Sequence, residues 1–477
     1  MAAAEASGGL LAQFDEAPLD RRYWMIFGLL AAVYVFDFFD LSLIAFILAA
    51  IGRSWHLTYG QSALILYGSG LGAVLGALLW GGLADRFGRR AQTVTGTLIC
   101  AINAGLIGFL PTGAYVWLAV LRIGVGFGLA AAITPALTLI VELTPTRRRT
   151  IITSFFVQFA AVGGLLASAS AATLMGWLGW RGVAMLGILP LFVGLLVWRF
   201  VPESVRWLTA KGRVEAARAE AAQYLRLPLD GVPLPTVLPA TPPRAALHEL
   251  YAHRRLFWQT LLSWGASTTA IFGYALWGPT IVALTLHTSV PQAAKYFVYV
   301  AISAIIGRIF VALVAPLTGR RRIGVMLSLP AGVCLALAGY YSNVVIGGFP
   351  LFVVLLAATA FFIEGGMSNI SPYTIEQYGV RLGGRASGLA HAAAGFGKIA
   401  GPLVLALIAG TGNLLRPEAT EAAVFPAFLL LAFCMLLVTF AFLFLSVETH
   451  GREIGFEPER AQARRSEMAP GPAGIAD

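Results

Sequence analysis

The sequence predicts an all-α membrane protein of twelve transmembrane helices, arranged as two pseudo-symmetric six-helix bundles. Three observations predict it. Of 477 residues, 58% are hydrophobic and only 12% charged, whereas a soluble domain carries about a quarter charged residues. Twelve apolar runs are each long enough to cross a bilayer. A polar stretch after the sixth run divides them into two sets, and a Gly-Arg-Arg turn recurs at the equivalent place in each, at Gly88-Arg89-Arg90 and Gly319-Arg320-Arg321.

The runs of the first set start near Tyr23, Gln61, Ala91, Ala114, Thr150 and Gly182. Those of the second start near Leu256, Pro291, Ile323, Phe349, Gly384 and Phe425. The chain therefore divides into a tail (1–22), a first bundle (23–203), a linker (204–255), a second bundle (256–446) and a second tail (447–477). Within the linker, KGRVEAARAEAAQYL reads as a short amphipathic surface helix, and LPLDGVPLPTVLPATPP as a proline-rich connector. The polar start DEAPLDRR and the length of the first run argue against a cleavable signal, so that run is expected to stay as a working helix.

Charge placement sets the orientation. Arg53, Arg181, Lys295 and Arg416 fall in alternate loops on one side, and Arg122, Arg308 and Lys398 fall within spans. Most of the 33 Lys and Arg are left on the other side, in DRFGRR, TRRRT, GRRRI and both tails. The positive-inside rule then predicts a multi-pass protein, of a bacterial inner membrane, with both termini and the linker cytoplasmic. The excess of basic residues, a net charge of +10, forms no stripe on a soluble face, which argues against nucleic-acid binding.

Catalytic signatures are missing. There is no G-x-x-x-x-G-K-[ST] loop, no H-E-x-x-H, no G-x-S-x-G and no dinucleotide fingerprint on a strand. Cys100, Cys334 and Cys434 lie in different runs without metal-ligand spacing. The expectation is a non-enzymatic protein without metal or cofactor.

The ionisable residues inside the runs are the informative ones, because a charge near the bilayer centre costs at least a few kcal/mol and persists only on a protein-lined or wet face. Asp37 and Asp40, at i and i+3 of the first run, share one helix face. They are candidates for a proton or cation site, with Arg122 of the fourth run as the partner of one of them. Arg308 of the eighth run can clamp a carboxylate bidentately, or can pair internally with Glu364. Lys398 can make a second anion contact or snorkel to the interface. Among the aromatics that could line a cavity, Phe38, Phe39 and Trp277 are singled out by their neighbouring motifs.

Short motifs then carry a family resemblance. Gly81-Gly-Leu-Ala-Asp85-Arg86-Phe-Gly88-Arg89-Arg90 is similar to the loop 2–3 signature of the major facilitator superfamily. Its second-half counterpart, PLTGRRRIG, matches at Gly319, Arg320 and Arg321, with Pro316 in place of the acid. Arg122-Ile-Gly-Val-Gly-Phe-Gly128 resembles that family's R-x-G-x-G-x-G pattern. Glu142, with Pro145, Arg148 and Arg149, and Glu203, with Arg206, resemble the E-x-x-P-x-x-R-R and P-E-S-P-R-W-L motifs of its sugar-porter and metabolite/proton-symporter branches, Val205 replacing a proline. Glu376 in Tyr373–Tyr378 resembles the second-half partner.

Asp37-Phe38-Phe-Asp40 resembles the D-G-x-D motif of the aromatic acid/proton symporters, and Trp277-Gly-Pro-Thr280 a run of the metabolite symporters. Gln158 resembles a sugar-porter glutamine, although the paired glutamines of the seventh sugar-porter span are absent.

The resemblance implies a monomeric, proton-coupled symporter that imports a small organic anion, such as an aromatic monocarboxylate, by alternating access. In that reading Asp37, Asp40 and Arg122 couple the proton. Arg308, Gln158, Phe38, Trp277, Glu364 and Lys398 hold the cargo. Gly81, Asp85, Arg86, Gly88, Arg89, Arg90, Glu142, Arg148, Glu203, Arg206, Glu376 and Arg320 form the gate. The alternatives are a carrier of an uncharged metabolite such as a sugar or polyol, with Gln158 as its polar handle, and a transporter-like membrane sensor. Accumulation of a labelled ligand in vesicles separates carrier from sensor.

Overall fold

The structure, a computed structural model, describes Gln13 and residues 17–232 and 247–449, apart from the side chains of residues 81–85, 150, 316 and 379–381. The proline-rich part of the linker and the tail from residue 450 lie outside the described residues, as do the side chains of Gly81 and Asp85.

The first half comprises α1 (Arg21–Ile51), α2 (Tyr59–Phe87), α3 (Arg89–Leu106), α4 (Tyr115–Leu143), α5 (Thr146–Met185) and α6 (Leu189–Phe200). Surface helices α7 (Val205–Ala210), α8 (Val214–Leu225) and α9 (Leu247–Ala252) follow. The second half comprises α10 (Arg254–Thr285), α11 (Val290–Thr318), α12 (Arg320–Tyr340), α13 (Leu351–Ala409) and α14 (Pro417–Phe440).

Polar residues start the helices where the runs meet water. Asp20 accepts from the Tyr23 N–H at the head of α1, and Thr58 with Gln61 forms a reciprocal capping box on α2. The twelfth crossing begins at Pro417, a turn or more before the start near Phe425 expected from hydropathy. Its first turns carry Glu418 and Glu421, which dilute the apolar signal without breaking the helix.

Among the described residues, eleven helical segments are long and apolar enough to cross a membrane. One of them, Thr146–Phe200, has 55 residues and would reach roughly 80 Å if straight, against about 30 Å of hydrocarbon. It is broken at Gly179, whose φ of 65° and ψ of 177° leave the helical region, and it therefore supplies two crossings. The 59-residue α13 doubles back as well. The Cβ position of Gly383 lies 3.2 Å from the Ile375 side chain, eight residues earlier, whereas a straight helix would separate them by about 12 Å.

The two halves repeat one packing scheme. In the first, α1 packs on α5 and α6, and α4 on α2 and α3, with α3 also on α6. In the second, α10 packs on α14 and the later part of α13, α11 and α12 on α13, and α12 on α14. Between halves, α2 meets α13, α5 meets α11 and α1 meets α10. Close approach needs bare backbone at the crossings. A Cβ on Gly126 of α4 would stand 1.9 Å from the Ser69 carbonyl oxygen of α2, and one on Gly307 of α11 2.1 Å from that of Phe361 on α13.

At the arginine-poor end the halves are zipped together. The N–H groups of Tyr59 and Gly60 donate to the carbonyls of Asn413 and Thr411 at 2.9 and 3.0 Å, and Leu415 N–H donates to Leu57 at 3.1 Å. The Tyr59 and Thr420 hydroxyls lie 2.6 Å apart. Aromatic contacts across the seam, Tyr59 with Trp277 and Phe46 with Phe297, both 5.9 Å between ring centroids, complete a plug.

Candidate substrate and proton site

The α2–α4 crossing at Gly126 sets the first charged cluster. Bringing those backbones together places Ser69 beside Arg122, one turn before Gly126. The Arg122 guanidinium donates to Asp40 Oδ2 at 2.5 Å and to Ser69 Oγ at 3.1 Å. The pair joins α4 to α1 and is almost wholly removed from solvent, with side chains 1% and 6% exposed. Removing either member would strand a buried charge. Asp37, one turn earlier on α1, is equally buried, yet among the described residues no hydrogen bond or ion pair reaches its carboxylate. The structure thus separates two acids that the sequence leaves equivalent.

In the second half, Arg308 of α11 donates from Nε (3.1 Å) and Nη2 (2.6 Å) to Glu364 Oε2 on α13. The second carboxylate oxygen, Oε1, takes no part in this contact. Tyr34, three residues before Asp37, lies close enough to feel the charges of both Asp37 and Arg308, and Tyr274 of α10 those of Glu364 and Arg308. Lys398, half-buried on the returning part of α13, sets its ammonium 5.6 Å from the Phe272 ring centroid. Asp37 feels the Lys398 charge from the opposite half. The intramembrane charges named from the sequence therefore gather around the contact between the halves.

The other cargo candidates are placed differently. Trp277 is fully buried in the plug and donates its indole N–H to the Pro402 carbonyl at 2.8 Å. Phe38 is half-buried against Gly163 of α5, where a Cβ would come 2.8 Å from its own Cβ. Gln158 of α5 has a buried amide oxygen with no hydrogen-bond partner among the described residues.

At the arginine-rich end, each half carries the same device. Glu203, just after α6, accepts from the N–H groups of Arg89 (2.8 Å), Arg90 (3.0 Å) and Ser204 (2.8 Å), anchoring a carboxylate on the first turn of α3. Glu448, after α14, accepts likewise from Arg320 (2.9 Å), Arg321 (3.3 Å) and Thr449 (3.1 Å) at the start of α12. Gly88 and Gly319, at φ 95° and 89°, let the chain turn against these carboxylates. Ser204 donates to Glu142, and Thr449 donates to Glu376 at 2.9 Å. Arg320 grips Glu376 through Nε and Nη2 at 3.2 and 2.8 Å, while Arg89 and Arg206 lie near Glu142.

Arg148 is exposed at the start of α5, and exposed Arg86 lies over the Phe87 ring. Among the residues that sequence reasoning missed, Glu448 stands out. The available signal was Val447-Glu-Thr449, which stands after the last run as Pro202-Glu-Ser204 stands after the sixth. Glu203→Ala would leave three N–H groups without an acceptor. It should lower unfolding free energy by about 2–4 kcal/mol, whereas Glu203→Gln, which keeps one acceptor oxygen, should lose about half as much, read from melting curves in detergent.

The linker helix α8 closes against this end of the first half. Arg90 approaches Glu220 at 3.6 Å, and Arg22 donates to the Gln223 carbonyl. Burial raises the Glu220 carboxyl above its ordinary range, and the Arg90 charge opposes the shift.

Residues 30–348, more than half of the chain, match the Major Facilitator Superfamily. Among curated proteins the chain is similar to a niacin transporter of Acinetobacter baylyi, with 27% identity over 83% of this chain and 89% of that protein. It is also similar to a gallate transporter of Pseudomonas putida, with 28% identity over 82% of this chain and 88% of that protein. The inward-open conformation of the E. coli xylose transporter superposes with a TM-score of 0.66 at 17% identity, covering 92% of this chain and 99% of that one. At that identity the likeness is one of fold.

Proposed function

The chain belongs to the Major Facilitator Superfamily, and on that premise we propose that it imports a small organic anion, an aromatic monocarboxylate, in symport with a proton. The observation that carries the reading is Asp37. It is a carboxylate buried at the contact between the halves with no hydrogen bond or ion pair among the described residues, while Asp40 one turn away is held by Arg122. An acid in that position is the group whose charge can change with the transport cycle, because gaining a proton there breaks no close ion pair.

Cations facing the same space suit an anionic cargo, and the names of the niacin and gallate relatives supply the aromatic carboxylate class. The open acceptor on Gln158 suits a hydroxyl on such a cargo. Alternating access follows from opening the plug at Tyr59 and Trp277 while the capped arginine-rich ends keep each half rigid. The arginine distribution supports a reading with the plug on the outer face of a bacterial inner membrane and both termini inside.

The test is uptake of radiolabelled benzoate, nicotinate and gallate into proteoliposomes of the purified chain. An inwardly directed pH gradient of one unit should concentrate at least one of these acids about tenfold for one coupled proton, since a pH unit corresponds to about 1.4 kcal/mol. A protonophore should abolish the accumulation. Uptake that equilibrates without concentrating, whatever the gradient, would overturn symport.

A further inference from the structure

Among the described residues, six acidic or basic side chains sit within the spans around the contact between the halves: Asp37, Asp40, Arg122, Arg308, Glu364 and Lys398. Four are spent in two close pairs, Asp40 with Arg122 at 2.5 Å and Arg308 with Glu364 at 2.6 Å. The remaining two have opposite sign and belong to opposite halves, Asp37 on α1 and Lys398 on α13.

The packing brings both to one level. Arg122, held by Asp40 of α1, also reaches Ser69 on α2. The next residue, Gly70, presents bare backbone whose Cβ position lies 3.0 Å from the Lys398 Cβ. Lys398 therefore leaves α13 beside the stretch of α2 whose Ser69 accepts from the Asp40-bound Arg122. No carboxylate among the described residues stands within ion-pair distance of its ammonium, which rests by the Phe272 ring. Arg308, by contrast, already commits Nε and Nη2 to one oxygen of Glu364.

We infer that Lys398 binds the cargo carboxylate and that Asp37 is the exchangeable counter-charge, so that each bound monoanion takes over from Asp37 the balancing of the Lys398 charge and one proton joins the Asp37 carboxylate. The inference rests on the symport reading above and adds the residue that reads the anion and the device that fixes the coupling ratio.

Charge balance carries it. The empty site holds three acids and three bases and is neutral. A monoanion makes it negative in a medium where an uncompensated charge is costly, and one proton restores neutrality. Asp40 and Glu364 are poor recipients, because protonating either would strand the guanidinium bonded to it. The groups facing Asp37 are Asp40 and Tyr34 from its own helix, Arg122 from α4, Cys100 from α3 and Lys398 from α13. Arg308 of α11 lies near enough to act on Tyr34 one turn away, and α5 meets the neighbouring Phe38, Phe39 and Ser42 through Gly163 and Gly164. Of these cations, Lys398 alone is without an acid at ion-pair distance among the described residues.

The experiment uses the full chain, wild type and Lys398→Met, Lys398→Arg, Asp37→Asn and the Lys398→Met/Asp37→Asn double variant, with melting curves to confirm folding. Binding of benzoate, nicotinate and gallate is measured by calorimetry, and the infrared carbonyl band of a protonated carboxyl is followed with and without the acids. The band is assigned to Asp37 by its loss in Asp37→Asn.

In the wild type the band should be absent from the empty carrier and appear on binding. Lys398→Met should bind the acids about 10- to 100-fold more weakly, as expected for a lost charge-assisted contact, and show the Asp37 band already when empty. Lys398→Arg should keep most of the affinity, and the double variant should show no band. Acid binding unchanged in Lys398→Met overturns the anchor, and an empty Lys398→Met carrier without the band overturns the counter-charge. If the wild type neither binds nor transports any of the three acids, the aromatic cargo is wrong, whereas a constitutive band in Lys398→Met would still uphold the Lys398–Asp37 pairing.

Discussion

Asp37→Asn should yield a well-folded carrier that exchanges labelled cargo across the membrane but concentrates none of it. The asparagine is nearly isosteric, and no partner among the described residues bonds the native carboxylate. The melting temperature should therefore stay close to that of the wild type. In proteoliposomes under a one-unit pH gradient, the accumulation ratio should fall from about ten to about one, the full value of one coupled proton. Exchange with both sides preloaded should survive, because it needs no net proton movement. Asp40→Asn provides the contrast. It removes the partner of a fully buried guanidinium, and its loss of transport should come with a loss of stability. Undiminished accumulation by Asp37→Asn would remove that residue from the coupling mechanism.

The largest effect on stability should come from Arg122→Leu. The substitution leaves Asp40 buried without a counter-charge, and breaking a buried pair from one side typically costs about 3–5 kcal/mol. Combining it with Asp40→Leu should return more than half of that loss, since the double variant replaces two costly charges by apolar groups. Arg308→Met should cost less, because Glu364 keeps 17% of its side chain exposed and water can partly solvate it. Apparent melting temperatures of the wild type and these three variants in one detergent give the comparison. Equal losses for Arg122→Leu and for its double variant would mean that the pair is not what holds α1 to α4.

The sequence determined much by itself. Hydropathy fixes which segments enter a bilayer, because the cost of an exposed backbone or charge there dwarfs any local preference. The crossings and the division into halves were therefore legible, as were the first helix starts, expected near Tyr23 and Gln61 and found at Arg21 and Tyr59. So was the list of intramembrane charges, since each is an expensive exception to an apolar run. A repeated Gly-Arg-Arg turn was enough to expose the internal symmetry.

What the sequence left open were relations between residues far apart along the chain. Asp37 and Asp40 have the same residue type and share one helix face, and only the rotation of α1 against α4 decides that Arg122 reaches Asp40 alone. Arg308 read equally as a cargo clamp or as a partner of Glu364, and the α11–α13 crossing at Gly307 brings those two side chains together. Trp277 read as cavity lining and lies in the plug, where the Tyr59 ring at the start of α2 packs against it. Glu448 escaped notice because its value lies in N–H groups more than a hundred residues earlier. Hydropathy is a property of each segment and can be read one residue at a time. Pairing depends on how segments are turned and how closely they approach, and that is set by bare glycine backbone at a few crossings, which only the assembled helices reveal.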